Sequence, residues 1–127
     1  PLLARIDLHV EVPRLPFEKM TTDETVETSV VVRERVCMAR ERQKYRFEGL
    51  PIQTNSEMRP SELRTMCPLD EASIELLRTA TQRWQLSARA FNRIIKLART
   101  IADLAGSDRI ELSHLAEALQ FRLHQDG

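Results

Sequence analysis

Read as a pattern of apolar and polar positions, the chain opens with a period of two. Between Arg5 and Val12, Ile6, Leu8, Val10 and Val12 alternate with Asp7, His9 and Glu11, which predicts a half-buried strand closed by Pro13 and Pro16. Beyond it the period lengthens to that of a helix. From Thr28 or Ser29 as N-cap, Val32, Val36, Ala39 and Gln43 recur at spacings of three and four, predicting a helix to about Phe47. Residues 49–58, with Pro51 and Asn55, read as a loop. Pro60 then opens a short helix that must stop before Pro68, and Asp70 caps a longer one running to about Trp84.

The strongest periodicity lies between Ser87, an N-cap, and Gly106, a C-terminal stop. At 100° per residue Phe91, Ile94, Ile95, Ala98, Ile101, Ala102 and Ala105 share one half of the wheel. Arg89, Asn92, Arg93, Lys96, Arg99, Thr100 and Asp103 form a narrower opposite stripe, and the pattern predicts the inner helix of a bundle. After a short extended piece, Arg109 to Leu112, Ser113 is expected to cap a last helix through Leu115, Ala118, Leu119 and Leu123. The expected fold is mainly α: a small helical bundle preceded by one β-strand. That strand has no partner in the chain for its backbone donors and acceptors, so it reads as the edge of a larger sheet.

Composition narrows the chemistry. In 127 residues, 19 Lys and Arg balance 19 Asp and Glu, so no global charge draws the chain to nucleic acid or membrane. No apolar run is long enough to span a bilayer and no signal pattern opens the chain, which fits a cytoplasmic protein without a membrane partner. Gly49, Gly106 and Gly127 are the only glycines, and none precedes Lys-Ser or Lys-Thr, so no phosphate-cradling P-loop exists within these residues. Cys37 and Cys67 lack metal-ligand spacing and are expected as buried thiols, and His9, His114 and His124 are scattered. No metal site and no self-contained catalytic set is expected.

Two features carry possible chemistry. Local charge departs from the balance: acidic side chains prevail before residue 28, whereas Arg33, Arg35, Arg40, Arg42, Lys44 and Arg46 crowd residues 29–48. These cations read either as a solvated face with intrahelical pairs or as a nucleic-acid contact, for which Arg40, Arg42 and Lys44 are the candidates. Arg89 is the second residue of its helix, where the dipole disfavours a cation, and Arg93 adds like-charge repulsion. A bound phosphate would relieve both, and a solvent-exposed or acid-paired arginine is the plain alternative. On pattern alone Arg5 is an arginine at a strand end.

The strings PLLARIDLHVEVP (1–13), CPLDEAS (67–73), LSARAFNRIIKLARTIADLAGS (86–107) and LAEALQFR (115–122) together resemble the C-terminal part of the bacterial Mg-chelatase-like AAA+ ATPases of the ComM/YifB family. The resemblance covers nearly the whole chain and is weakest from Thr21 to Pro60. It implies that residues 1–16 are the last strand and linker of an ATPase core, 17–58 a long insert helix and loop, and 59–127 the helical lid. It implies Arg5 as an arginine finger and Arg89, with Arg93 nearby, as the sensor 2 arginine of an ATP site in this subunit or its neighbour. It further implies a parent ATPase that holds ATP and Mg2+ on upstream motifs absent here. The parent would form a hexameric ring with neighbouring subunits and act as a DNA helicase or branch-migration motor in natural transformation. The residues alone leave a second reading, a free-standing helical module that binds DNA or protein with no ATPase role.

Overall fold

A computed structural model of the chain describes residues 5–10, 12 and 27–121. Within them lie five α-helices: α1 (Ser29–Arg46), α2 (Pro60–Met66), α3 (Glu71–Trp84), α4 (Ala88–Leu104) and α5 (Leu112–Gln120), with a 3-10 turn at Asn55–Glu57. The starts follow local rules. Thr28, Asp70 and Ser87 occupy the N-cap positions of α1, α3 and α4, where each side-chain oxygen accepts from the backbone N–H three residues on. Pro60 opens α2 at a position where its missing N–H leaves no bond unmade.

The helices close around α4. It touches α1, the 3-10 turn, α2 and α5, and α5 in turn touches α3. The core runs from Phe47, Ile52 and Met58 through Leu63, Leu77 and Ala80 to Ile94, Ile95, Ala98, Ala102, Ile110, Leu115, Ala118 and Leu119. Ala98 and Ala102 are fully covered, and their small side chains let neighbouring helices approach closely.

Four expectations change. Among the described residues there is no strand: residues 5–10 and 12 form no ladder, because a strand needs a neighbour's backbone groups and these helices offer none. Among the described residues one main-chain bond joins the segment to the helices, from His9 N–H to the Phe121 carbonyl at 3.2 Å, and Ile6, Leu8, Val10 and Val12 are exposed. The last helix begins at Leu112, with Glu111 rather than Ser113 in the N-cap position; the Glu111 N–H donates to Nδ1 of His114 at 3.0 Å. In α1 only Ala39 and Gln43 are buried, so Val32 and Val36 of the expected inner face are exposed along with the rest of the first half. Cys67 is buried but Cys37, on that uncovered stretch, is exposed. The chain start to Ala4, the Pro13 and Pro16 turn, and the end from Arg122 through Leu123 lie outside the described residues. No described helix is long and apolar enough to cross a membrane.

Candidate functional site

At the start of α4 the Ser87 hydroxyl accepts from the Ala90 N–H at 3.1 Å, and Arg89 stands exposed on the first turn. The other three cations of α4 are engaged. Nε of Arg93 pairs with Asp7 at 3.0 Å, Nζ of Lys96 donates to the Ser56 carbonyl at 3.0 Å, and Arg99 pairs with Asp103. Arg89 alone among them has no partner among the described residues. The like-charge strain expected from Arg93 is thus partly neutralised by a carboxylate from the N-terminal segment. The same contact ties that segment, and with it exposed Arg5 two residues before Asp7, to the helix that begins at Arg89.

On α1 the candidates separate. Nη1 of Arg42 pairs with Asp108 at 2.9 Å and its Nη2 donates to the Gly106 carbonyl at 2.9 Å, so this guanidinium secures the turn after α4. Arg40 and Lys44 are exposed and make no ion pair among the described residues.

A cluster that sequence reasoning did not single out lies inside. Arg99 and Asp103, on the polar stripe of α4, are 2% and 1% exposed. The Asp103 carboxylate accepts from Arg46 Nη1 at 2.9 Å and Nη2 at 2.6 Å, from Arg99 Nε at 3.2 Å, and from Asn55 Nδ2 at 2.9 Å. Remaining donors also find partners: Arg99 reaches the Ser107 and Asp108 carbonyls, Arg46 the Asn55 side-chain oxygen, and Asn55 the Thr100 hydroxyl. The side-chain oxygen of Gln43 accepts from the Asn55 N–H at 2.9 Å. Burial pushes the Arg99 guanidinium below the usual arginine value, against the pull of Asp103. Nearby, burial raises the Cys67 thiol to about 11, which keeps it protonated and inert at neutral pH. Two features could have revealed the cluster: Arg99 and Asp103 stand four apart, and the valine-rich α1 carries polar Gln43 on its otherwise apolar inner row.

This arrangement offers one exposed cation without a partner among the described residues on a helix N-terminus, and a buried polar joint between α1 and α4. Among the described residues no group of three or more His, Cys, Asp or Glu side chains could hold a metal ion. Residues 26–122, from just before α1 to just past α5, match the family described as magnesium chelatase, subunit ChlI C-terminal. The chain belongs to this family. It is 42% identical over 123 residues to the competence protein ComM of Haemophilus influenzae, covering 96% of this chain and 23% of that protein. The protein YifB of Escherichia coli is 39% identical over 124 residues, with 96% and 24% covered. A relative from Mycobacterium tuberculosis, Rv2897c, is 37% identical over 122 residues, with the same shares. The chain therefore corresponds to the C-terminal part of the ComM/YifB proteins and spans about a quarter of the length of these relatives.

Proposed function

We propose that this chain is the helical lid of a ring-forming AAA+ ATPase, with Arg89 as its sensor 2 arginine and Arg5 as its arginine finger. The observation that carries the reading is the isolation of Arg89. Every other cation of α4 is matched by an acceptor, whereas Arg89 is left exposed at the helix end where unpaired backbone N–H groups and the dipole already favour an anion. A triphosphate supplies the oxygens that a planar guanidinium recognises. Family membership implies a full-length protein that holds ATP and Mg2+. This chain has no phosphate loop, so its contribution is donors: Arg89, and Arg5 on the segment tied to α4 through Asp7 and Arg93. Bound there, ATP would supply phosphoryl transfer to water.

The printed name of ComM, a competence protein, supports a parent that acts in natural transformation; that it is a DNA helicase or branch-migration motor is what the family resemblance adds to this reading. In that reading the upstream core and the neighbouring subunits of the ring are the partners. The test is ATP turnover in the full-length protein. Arg89→Ala and Arg5→Ala should each lower it by about 100-fold or more, in line with the 10³ to 10⁵ that an added guanidinium contributes in other phosphoryl-transfer sites. Circular dichroism should be unchanged, since neither side chain is buried. Wild-type turnover in Arg89→Ala would remove the ATP-site assignment, and wild-type turnover in Arg5→Ala the arginine-finger role.

A further inference from the structure

The cations of α1 fall into two lanes with the same internal spacing. Arg35, Arg42 and Arg46 lie within about 40° of one another around the helix, and Arg33, Arg40 and Lys44, two residues earlier at each step, lie within about 40° on nearly the opposite side. The first lane is fully committed: Arg35 to Glu27, Arg42 to Asp108 and Arg46 to Asp103. The second lane is exposed and has no ion pair among the described residues. The helix carries six cations against Glu34 and Glu41, in a chain whose charges otherwise balance. Its excess charge is therefore concentrated on the outward lane.

We infer that Arg33, Arg40 and Lys44 are a track for the phosphodiester backbone of a nucleic-acid strand. From Arg33 to Lys44 the track is about 16 Å long at the helical rise, which is the length of about five stacked nucleotides. At its far end lies a groove of about 890 Å³ between α1 and the loop that follows, lined by Arg40, Lys44, Tyr45 and Leu50 together with the carboxylates of Glu41 and Glu48. The Tyr45 side chain is 81% exposed there, a ring on which an unpaired base can stack beside two cations. A lipid surface fits less well. Val30, Val31, Val32, Val36 and Met38 are spread around the helix instead of gathering opposite the cations, as an interfacial helix requires. The track deepens the proposal of a DNA-handling parent and rests on it, and it replaces Arg42 by Arg33 in the expected contact set.

The test uses the full-length protein and fluorescence anisotropy with a labelled oligothymidylate of about twenty nucleotides, long enough for a typical single-strand site. A duplex of equal length and phosphatidylserine vesicles serve as the other arms. The variant is Arg33→Gln/Arg40→Gln/Lys44→Gln; a control, Arg64→Gln/Arg78→Gln/Arg83→Gln, removes the same charge from exposed positions on α2 and α3. Loss of three phosphate contacts makes the salt dependence shallower by about 2 in slope, so that raising salt fourfold weakens the wild type about 16-fold more than the variant. The control keeps the wild-type slope, and turnover without DNA stays unchanged in both. A change confined to the oligothymidylate identifies a single-strand track, and one shared with the duplex a general backbone track. An unchanged slope in the track variant, an equal change in the control, or binding by the wild type to vesicles alone overturns the inference. These results are independent of Arg89: intact turnover in Arg89→Ala would defeat the ATP-site assignment and leave the track standing.

Discussion

Asp103 is a single carboxylate between two guanidiniums, and it is the residue on which the joint between α1 and α4 turns. Removing its charge strands Arg46 and Arg99 in a place where Arg99 cannot reach water. Breaking a buried pair in this way typically costs about 3–5 kcal/mol, so Asp103→Asn should lower stability to urea by that order, and a loss below about 1 kcal/mol would show the joint to be dispensable. Glu62 gives a pH signature instead. Hydrogen bonds from Arg59 and from the Ser61 hydroxyl hold its carboxyl at about 2, against an ordinary 4.5. Because the folded value is the lower one, this stabilisation is present above about pH 4.5 and is lost as pH falls towards 2. Melting temperatures measured across that window should fall less steeply in Glu62→Gln than in the wild type; parallel curves would refute the assignment. Asp70, held below its usual range by the Ser73 backbone N–H, adds a slope of the same sign, and leaves the difference between the two proteins to Glu62.

At the scale of elements, helix starts and stops were legible wherever one residue's chemistry suffices. Thr28, Asp70 and Ser87 cap because a short side-chain oxygen meets an orphan N–H, and Gly106 stops α4 with φ +73, a conformation that costs glycine little. The end of α3 had no such signal. Gln85 takes the left-handed position with φ 50, which glycine adopts without strain. Gln85→Gly is accordingly expected to stabilise the protein by about 0.5–1 kcal/mol in thermal unfolding, and a lower melting temperature would contradict this account of the cap. The Ser113 expectation failed because Glu111 and His114 make their own local bond two residues earlier. The period of α4 located its apolar face correctly, with Ile94, Ile95, Ala98 and Ala102 buried. It left the opposite edge undecided, since helical period reports which residues share a side and says nothing about what a neighbouring helix brings to it.

For the whole molecule, α4 is the axis, and stability should follow coverage by its neighbours. Leu115 of α5 is fully buried in the central core, whereas Val30 of α1 is 60% exposed. Leu115→Ala should cost about 2–5 kcal/mol, against little change for Val30→Ala, which denaturant titration of the pair can check. Equal losses would mean that the first half of α1 is packed after all. That half-helix stands out from the core because its anchor is at the other end, in the Arg46, Asp103 and Arg99 cluster. The anchoring joint thereby leaves the outer lane of cations in solvent.

The sequence by itself determined five helices, most of their caps, the apolar face of α4, and the family, through strings dense enough to be distinctive. Local helix-end chemistry also drew out Arg89, whereas Arg5 came forward only through the family resemblance. The helices, caps and apolar face follow from local chemistry and from residues close together along the chain. Only the tertiary structure decided which cations are engaged and which are left over. Arg93 meets Asp7 and Arg46 meets Asp103 across gaps of many dozens of residues, and burial of Arg99 depends on Asn55 and Arg46 arriving from α1 and its loop. An ion pair or a buried charge is a property of two surfaces meeting in space, and no periodicity within one helix encodes the partner.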